Sequence, residues 1–224
     1  MKGLLHCCLV LVIIIWLPAK SSAQRYSLKI SSANFNLGGE SFQGYSTLFD
    51  QSYKEVKKEW WRYVNSRTII FNKKTHLELT VPAQKRNSNT PLKFVSQLKE
   101  NKESKSSTLR VALATDGIPD NQIDELKSKV RHLILDFKVG YFTRLIQNKI
   151  EVQETTSQKI SIEMDKYLLS NSKLQQWIDK KPEDKDKFIE KLATNTRKIE
   201  KLQNQLNHEQ AQLVKLKKEL TLIK

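Results

Sequence analysis

A chain of 224 residues, 38% hydrophobic and 28% charged, has enough apolar material for a globular core, and its six glycines and five prolines exclude a collagen-like or low-complexity chain. Its 39 basic residues against 24 acidic ones give a formal net charge of +15, a field that attracts polyanions of every kind without selecting among them. Two cysteines exclude a disulfide-dense scaffold.

The first residues address the compartment. Lys2 is a short positive start, Leu9 to Leu17 is an apolar run, and Ser21, Ser22 and Ala23 offer small side chains at cleavage positions. This layout predicts a secretory signal peptide over 1–23, cut after Ala23. The run falls short of the roughly 20 residues that span a bilayer as a helix, which leaves an uncleaved anchor as the alternative. Cys7 and Cys8 both fall in the removed segment, so the secreted remainder must rely on an ordinary core or on helix association. That suits a bacterial periplasm. Taking Lys2 and Lys20 from the 39 basic residues leaves 37 against 24 acidic ones, about +13 for the secreted part.

From Tyr26 onward the chain predicts short strands around one helix. Tyr26 to Ile30 alternates apolar and polar residues as a half-buried strand does, and Phe42 to Tyr45 is a second candidate after a Gly38-Gly39 turn. Thr68–Phe71, Leu77–Val81, Leu92–Val95 and Leu109–Leu113 supply four more. Asn72 to Thr75 is short enough for a hairpin, whereas Pro82 to Pro91 and Glu100 to Ser107 are expected to be longer polar loops.

Between them, Asp50 to Asn65 predicts a helix. Phe49, Tyr53, Val56, Trp60 and Val64 follow the i, i+4, i+7 rule and form its buried face. Trp61, one residue on, falls about 100° round, on a flank with Lys54, Lys57 and Lys58. Two roles compete for it. The indole either covers the rim of the core, or stands among the lysines to stack on a sugar or base or to seat at an anionic membrane surface.

After Gly117 the period becomes helical. Pro119 suits a first helical turn, and Ile123 to Ile146 carries an apolar stripe wide enough to cover a sheet. From Ile146 to Ile178 the stripe narrows to a seam of alternating three- and four-residue steps, with Gln153, Ser157 and Asn171 as polar positions. Asp179 to Asp184 breaks the helix. Beyond it Phe188, Leu192, Asn195, Ile199, Leu202, Leu206, Glu209, Leu213, Leu216, Leu220 and Ile223 repeat the 3.5-residue spacing of a coiled coil. The lengths allow the second helix to fold back along the first as an antiparallel hairpin, with Asn171 and Asn195 at comparable depth as register markers. Self-association of the C-terminal helices is the alternative.

Motifs of catalysis are not found. His76, His132 and His208 lie in three separate segments, and no zinc spacing, nucleophile elbow or glycine-rich phosphate loop occurs. The expectation is a non-enzymatic protein without cofactor or metal. Its partner would be a protein, either a second copy or an envelope component. The competing expectation is a polyanion-binding module for anionic lipid or envelope glycan, using Lys54, Lys57, Lys58 and Trp61 with Lys85 and Arg86 of the loop before Pro91; nucleic acid is not expected in that compartment.

The stretch GYSTLFDQSYKEVKKEWWRYV (44–64) running into FNKKTHLELTVP (71–82), with a charged helical tail rich in Lys, Gln and Leu, resembles secreted or envelope proteins of Bacteroidetes-type bacteria. The resemblance implies a small N-terminal α+β domain and a C-terminal coiled coil, and it carries no activity, cofactor or catalytic residue over to this chain. The expected organisation is thus a signal peptide at 1–23, an α+β domain at 24–145 whose small antiparallel sheet is covered by helices, and a coiled-coil helical hairpin at 146–224.

Overall fold

The computed structural model describes residues 26–82 and 91–223. Six strands form one antiparallel sheet: β1 (Ser31–Leu37), β2 (Glu40–Phe49), β3 (Ile69–Asn72), β4 (Leu77–Val81), β5 (Leu92–Asn101) and β6 (Ser106–Leu113), in the spatial order β1-β2-β6-β5-β4-β3. Helix α1 (Tyr53–Asn65) connects β2 to β3, α2 (Asp120–Lys180) follows the sheet, and α3 (Lys185–Thr221) closes the chain. The predicted fold class, α+β with a long C-terminal helical region, is the one observed.

The register places Thr47, Phe49, Leu79, Phe94, Leu109, Val111 and Leu113 on one face. Both helices cover that face. Val56, Trp60 and Val64 of α1 and Val130, Ile134, Phe137, Tyr141 and Phe142 of α2 complete the main core. Trp60 buries its ring and donates its indole N–H to Ser96 Oγ at 3.0 Å, so the polar end of a buried tryptophan is satisfied by the sheet. Ser52 caps α1, accepting the Glu55 N–H and donating to the Glu55 carboxylate; the helix therefore starts three residues later than Asp50.

Two sequence expectations about the sheet need correction. Tyr26 to Ile30 is not a strand. Its alternation does report burial, since Tyr26, Leu28 and Ile30 all meet the core, but side chains rather than a neighbouring strand serve its backbone: the Lys29 carbonyl accepts Thr47 Oγ1 at 2.7 Å and Lys138 Nζ at 3.3 Å. The first strand is Ser31–Leu37 instead, turning into β2 through Gly38 and Gly39, whose φ of 60° and 93° suit a two-residue hairpin. The expected loop over 100–107 is mostly strand: β5 and β6 extend to a short turn at 102–105, and Ser106 and Ser107 are buried.

α2 is one uninterrupted helix, so no break in the backbone marks the position 145/146. Its core-facing stretch buries Lys138 completely. The ammonium donates to Thr47 Oγ1 and the Lys29 carbonyl and lies 5.2 Å from the Phe49 ring centre and 6.0 Å from that of Phe142. Burial pushes its pKa down from 10.5 to about 8, against the opposing pull of the Asp50 carboxylate.

Candidate functional site

Three surfaces bear on function: the helical arm, the exposed side of α1, and the face of the sheet that the helices leave uncovered.

In the arm, α3 returns antiparallel along α2 after a short 3-10 turn at Pro182–Asp184. The seam predicted from leucine spacing is the one that turns inward. Leu192, Ile199, Leu206, Leu213, Leu216 and Leu220 are half-buried, and Leu202 and Ile223 are buried. On α2 the inward row is Ile150, Gln153, Ser157, Ile160, Met164, Tyr167, Asn171, Leu174 and Ile178, again as spaced. Trp177 against Phe188 closes the tip, and a Lys217–Glu154 ion pair of 2.9 Å flanks the base.

Polar positions meet across the seam, though not as the asparagine spacing suggested. Gln153 donates to the Glu209 carbonyl at 3.2 Å and to its carboxylate. Asn195 donates to Ser170 Oγ at 3.2 Å rather than to Asn171, whose buried Oδ1 has no hydrogen-bond partner. At the base, Leu216, Leu220 and Ile223 pack against the sheet domain's core beside Leu145, Ile146 and Ile150, so the last heptad serves both the seam and the globular part.

On α1 the predicted polyanion contacts come together. Lys54, Lys57, Lys58 and Trp61 follow i, i+3, i+4 and i+7, and all four are exposed, Trp61 at 38%. The rule that buries Trp60 leaves Trp61 outside, and Lys57 Nζ sits 5.3 Å from the Tyr53 ring centre. Glu59, on the adjoining face, is held by Arg62 at 2.6 Å and Arg144 at 3.0 Å and does not neutralise the strip. Lys85 and Arg86 lie outside the described residues.

The third surface was not anticipated. The β1–β2 hairpin and the β3–β4 hairpin bound a groove of about 1140 Å³ that opens on the face opposite the core, with α2 contributing Lys127 to its lining. Phe42, Phe71 and Val95 give it apolar walls, and Lys73, Lys93 and Glu78 line it among others. Phe71 and Ile69 are 54% and 51% exposed. The sequence signal is the run Ile69-Ile70-Phe71, apolar at both parities where a strand covered on one side alternates. His76 at the rim meets Thr75 Oγ1 at 3.0 Å, and His132 on α2 meets the Ser128 carbonyl at 2.8 Å.

Among the described residues no group of three or more His, Cys, Asp or Glu side chains is placed to hold a metal ion, and no helix is long and apolar enough to cross a membrane. No protein-family model matches the chain, and neither a curated protein nor a solved structure matches it.

Proposed function

We propose that this chain is a non-enzymatic adaptor or spacer of a bacterial cell envelope, exported by its N-terminal segment, that holds a protein partner at the end of a rigid helical arm. The observation that supports this reading is the continuity of α2, which begins in the core of the sheet domain and runs without interruption to the tip of the hairpin. From Ile150 to Lys180 the arm extends roughly 45 Å at 1.5 Å per residue. Its apolar seam is closed by the chain itself, which leaves the outward faces for partners.

Shortening the arm tests the reading. Removing 157–170 from α2 and 194–207 from α3 takes two heptads from each helix and keeps the seam in step while shortening the rod by about 21 Å. A photo-cross-linker at Ser172 is expected to capture a defined envelope protein in the full-length chain and to lose it in the shortened one. An unchanged capture pattern refutes the spacer.

A second reading is favoured by the strip Lys54, Lys57, Lys58 and Trp61: a module that binds anionic lipid or envelope glycan through α1. An amphipathic indole bordered by ammonium groups fits the interface of such a surface.

A further inference from the structure

The back of α2 carries a second heptad row. Lys159, Lys166, Lys173 and Lys180 recur every seven residues, and Ile162 and Leu169 follow the first two of these lysines by three. All are exposed, Ile162 at 57% and Leu169 at 59%. Because the inward row takes Ile160 and Tyr167, residues two positions further on stand about 200° round the helix, on the side facing away from α3. An apolar residue so placed stands outside the seam and largely in solvent. Val152 at 66% and Trp177 at 47% exposed extend the apolar character toward both ends of the row.

Charge and width decide what this row receives. A helix that lies in a membrane interface buries a broad apolar face, about 100° or more; here the apolar strip is a single residue wide and lysines sit within it. A second copy of the chain fares no better. Apposed backs of α2 set one lysine row against the other, and the outward heptad positions of α3 offer Arg197, Lys201, Lys215 and Lys218. Like charges in that register repel. The three-and-four spacing, in step with the inward seam, is the spacing that accepts another helix.

We propose that the back of α2, from Val152 to Trp177, docks an amphipathic helix of an acidic partner protein, with apolar side chains against Ile162 and Leu169 and carboxylates against Lys159, Lys166 and Lys173. Glu163 and Asp165 flank the row on either side, so the partner's outer positions are basic or neutral there. This inference rests on the adaptor reading, whose protein partner it gives a chemical class.

The test uses the full chain and a fluorescent 28-residue helical probe with Leu and Glu alternating at the two facing heptad positions, beside a counterpart with Lys in place of Glu. The acidic probe is expected to bind and the basic one not to. Lys159→Glu, Lys166→Glu and Lys173→Glu together are expected to weaken the acidic probe at least tenfold and to admit the basic one. Ile162→Ser with Leu169→Ser weakens either match. All of these positions are exposed, so an unchanged circular dichroism spectrum and melting curve confirm that only the surface was altered.

Absence of acidic-probe binding overturns the inference, as does equal binding by the charge-reversed chain. So does a row that binds phosphatidylglycerol-containing vesicles but neither peptide. The arm-shortening deletion removes Lys159, Ile162, Lys166 and Leu169 along with the length, so the two readings are separated in the full-length chain: acidic-probe binding with no defined protein captured from Ser172 sinks the adaptor and leaves the docking face, whereas capture from Ser172 that persists in the Lys159→Glu, Lys166→Glu, Lys173→Glu chain without any binding of the acidic probe sinks the docking face alone.

Discussion

Replacing Lys138 with methionine isolates the one fully buried cation among the described residues. With a native pKa of about 8 against 10.5 when exposed, the native state binds its proton less tightly than the unfolded chain does. Below pH 8 both states carry the proton and stability is flat with respect to this group. Between about 8 and 10.5 the native state gives up its proton first, the unfolded chain holds more protons, and stability rises with pH. At 1.36 kcal/mol per pKa unit the rise totals about 3 kcal/mol. Tyr141, its pKa pushed up to about 12 chiefly by burial and further by Glu55 and Glu59, works in the opposite sense above pH 10, where its unfolded phenol ionises first. The interval from pH 8 to 10 is therefore the window in which Lys138 dominates over Tyr141.

Methionine keeps the length and apolar stem and removes the charge. Thr47 Oγ1 still donates to the Lys29 carbonyl at 2.7 Å, so the substitution strands no backbone acceptor. The expected result at pH 7 is a stabilisation of roughly 1–3 kcal/mol, the desolvation relieved less the hydrogen bonds lost, or about 2–10 °C in melting temperature. Urea titrations of both proteins at pH 7, 8, 9 and 10 measure it. Wild-type stability climbs across this series and the Lys138→Met variant stays level. A destabilised variant, or parallel pH profiles, refutes the reasoning, because either means that the ammonium's interactions with Phe49, Phe142, Thr47 and Lys29 outweigh its desolvation.

Three further outcomes follow from geometry. Leu202→Ala removes a side chain only 8% exposed in the seam and is expected to cost about 2–4 kcal/mol, whereas Val214→Ala, at a position 69% exposed on the same helix, changes stability by under roughly 0.5 kcal/mol; thermal denaturation compares them. A Cβ at Gly44 meets the Val111 carbonyl oxygen and stands 2.6 Å from Ala112 Cβ, so Gly44→Ala is expected to destabilise by about 1–3 kcal/mol, while Gly140→Ala, in α2 with nothing within 4 Å, stabilises by roughly 0.5–1 kcal/mol. For the α1 strip, Lys54→Glu, Lys57→Glu and Lys58→Glu together are expected to weaken co-sedimentation with anionic vesicles at least tenfold at low salt, at about 1 kcal/mol per lysine lost. Binding insensitive both to the substitutions and to salt rejects that surface.

How much could be read from the chain depended on which interactions were local. The leucine and isoleucine spacing of 188–223 located every inward position of α3, because a two-helix seam is set by period alone. The side of α1 that carries Trp61 was equally legible, since thirteen helical residues fix one another's direction. At Tyr26–Ile30 the alternation reported which side meets the core but not what the backbone bonds to; its partners, Thr47 and Lys138, are distant in sequence. β1 went unseen because SSANFNL turns Ala33, Phe35 and Leu37 toward the helix-free face, where they form a small cluster of their own with Phe42, Val95 and Ala112. The groove joins Phe42 to Phe71 across three intervening strands, and no local pattern contains that adjacency.

The arm and the core are not independent in stability. Away from its base the seam is made of two helices only, and most of its residues stay half-exposed; Leu174, Phe188 and Leu202 are the buried exceptions. A pair of helices that half-buries its apolar row forgoes much of the 1.5–3 kcal/mol that a fully buried leucine contributes, so the distal hairpin owes its order to the base, where Ile146 is wholly buried and Ile223 is 1% exposed within the sheet domain's core. Local opening is then easiest in the half-buried middle of the arm, between the Trp177–Phe188 contact at the tip and that base. A third helix laid along Lys159 to Lys173 would cover Ile162 and Leu169 in the stretch where burial is poorest. Such a partner stabilises the rod it binds by mass action, and the same linkage makes its affinity depend on how fully the distal hairpin is formed.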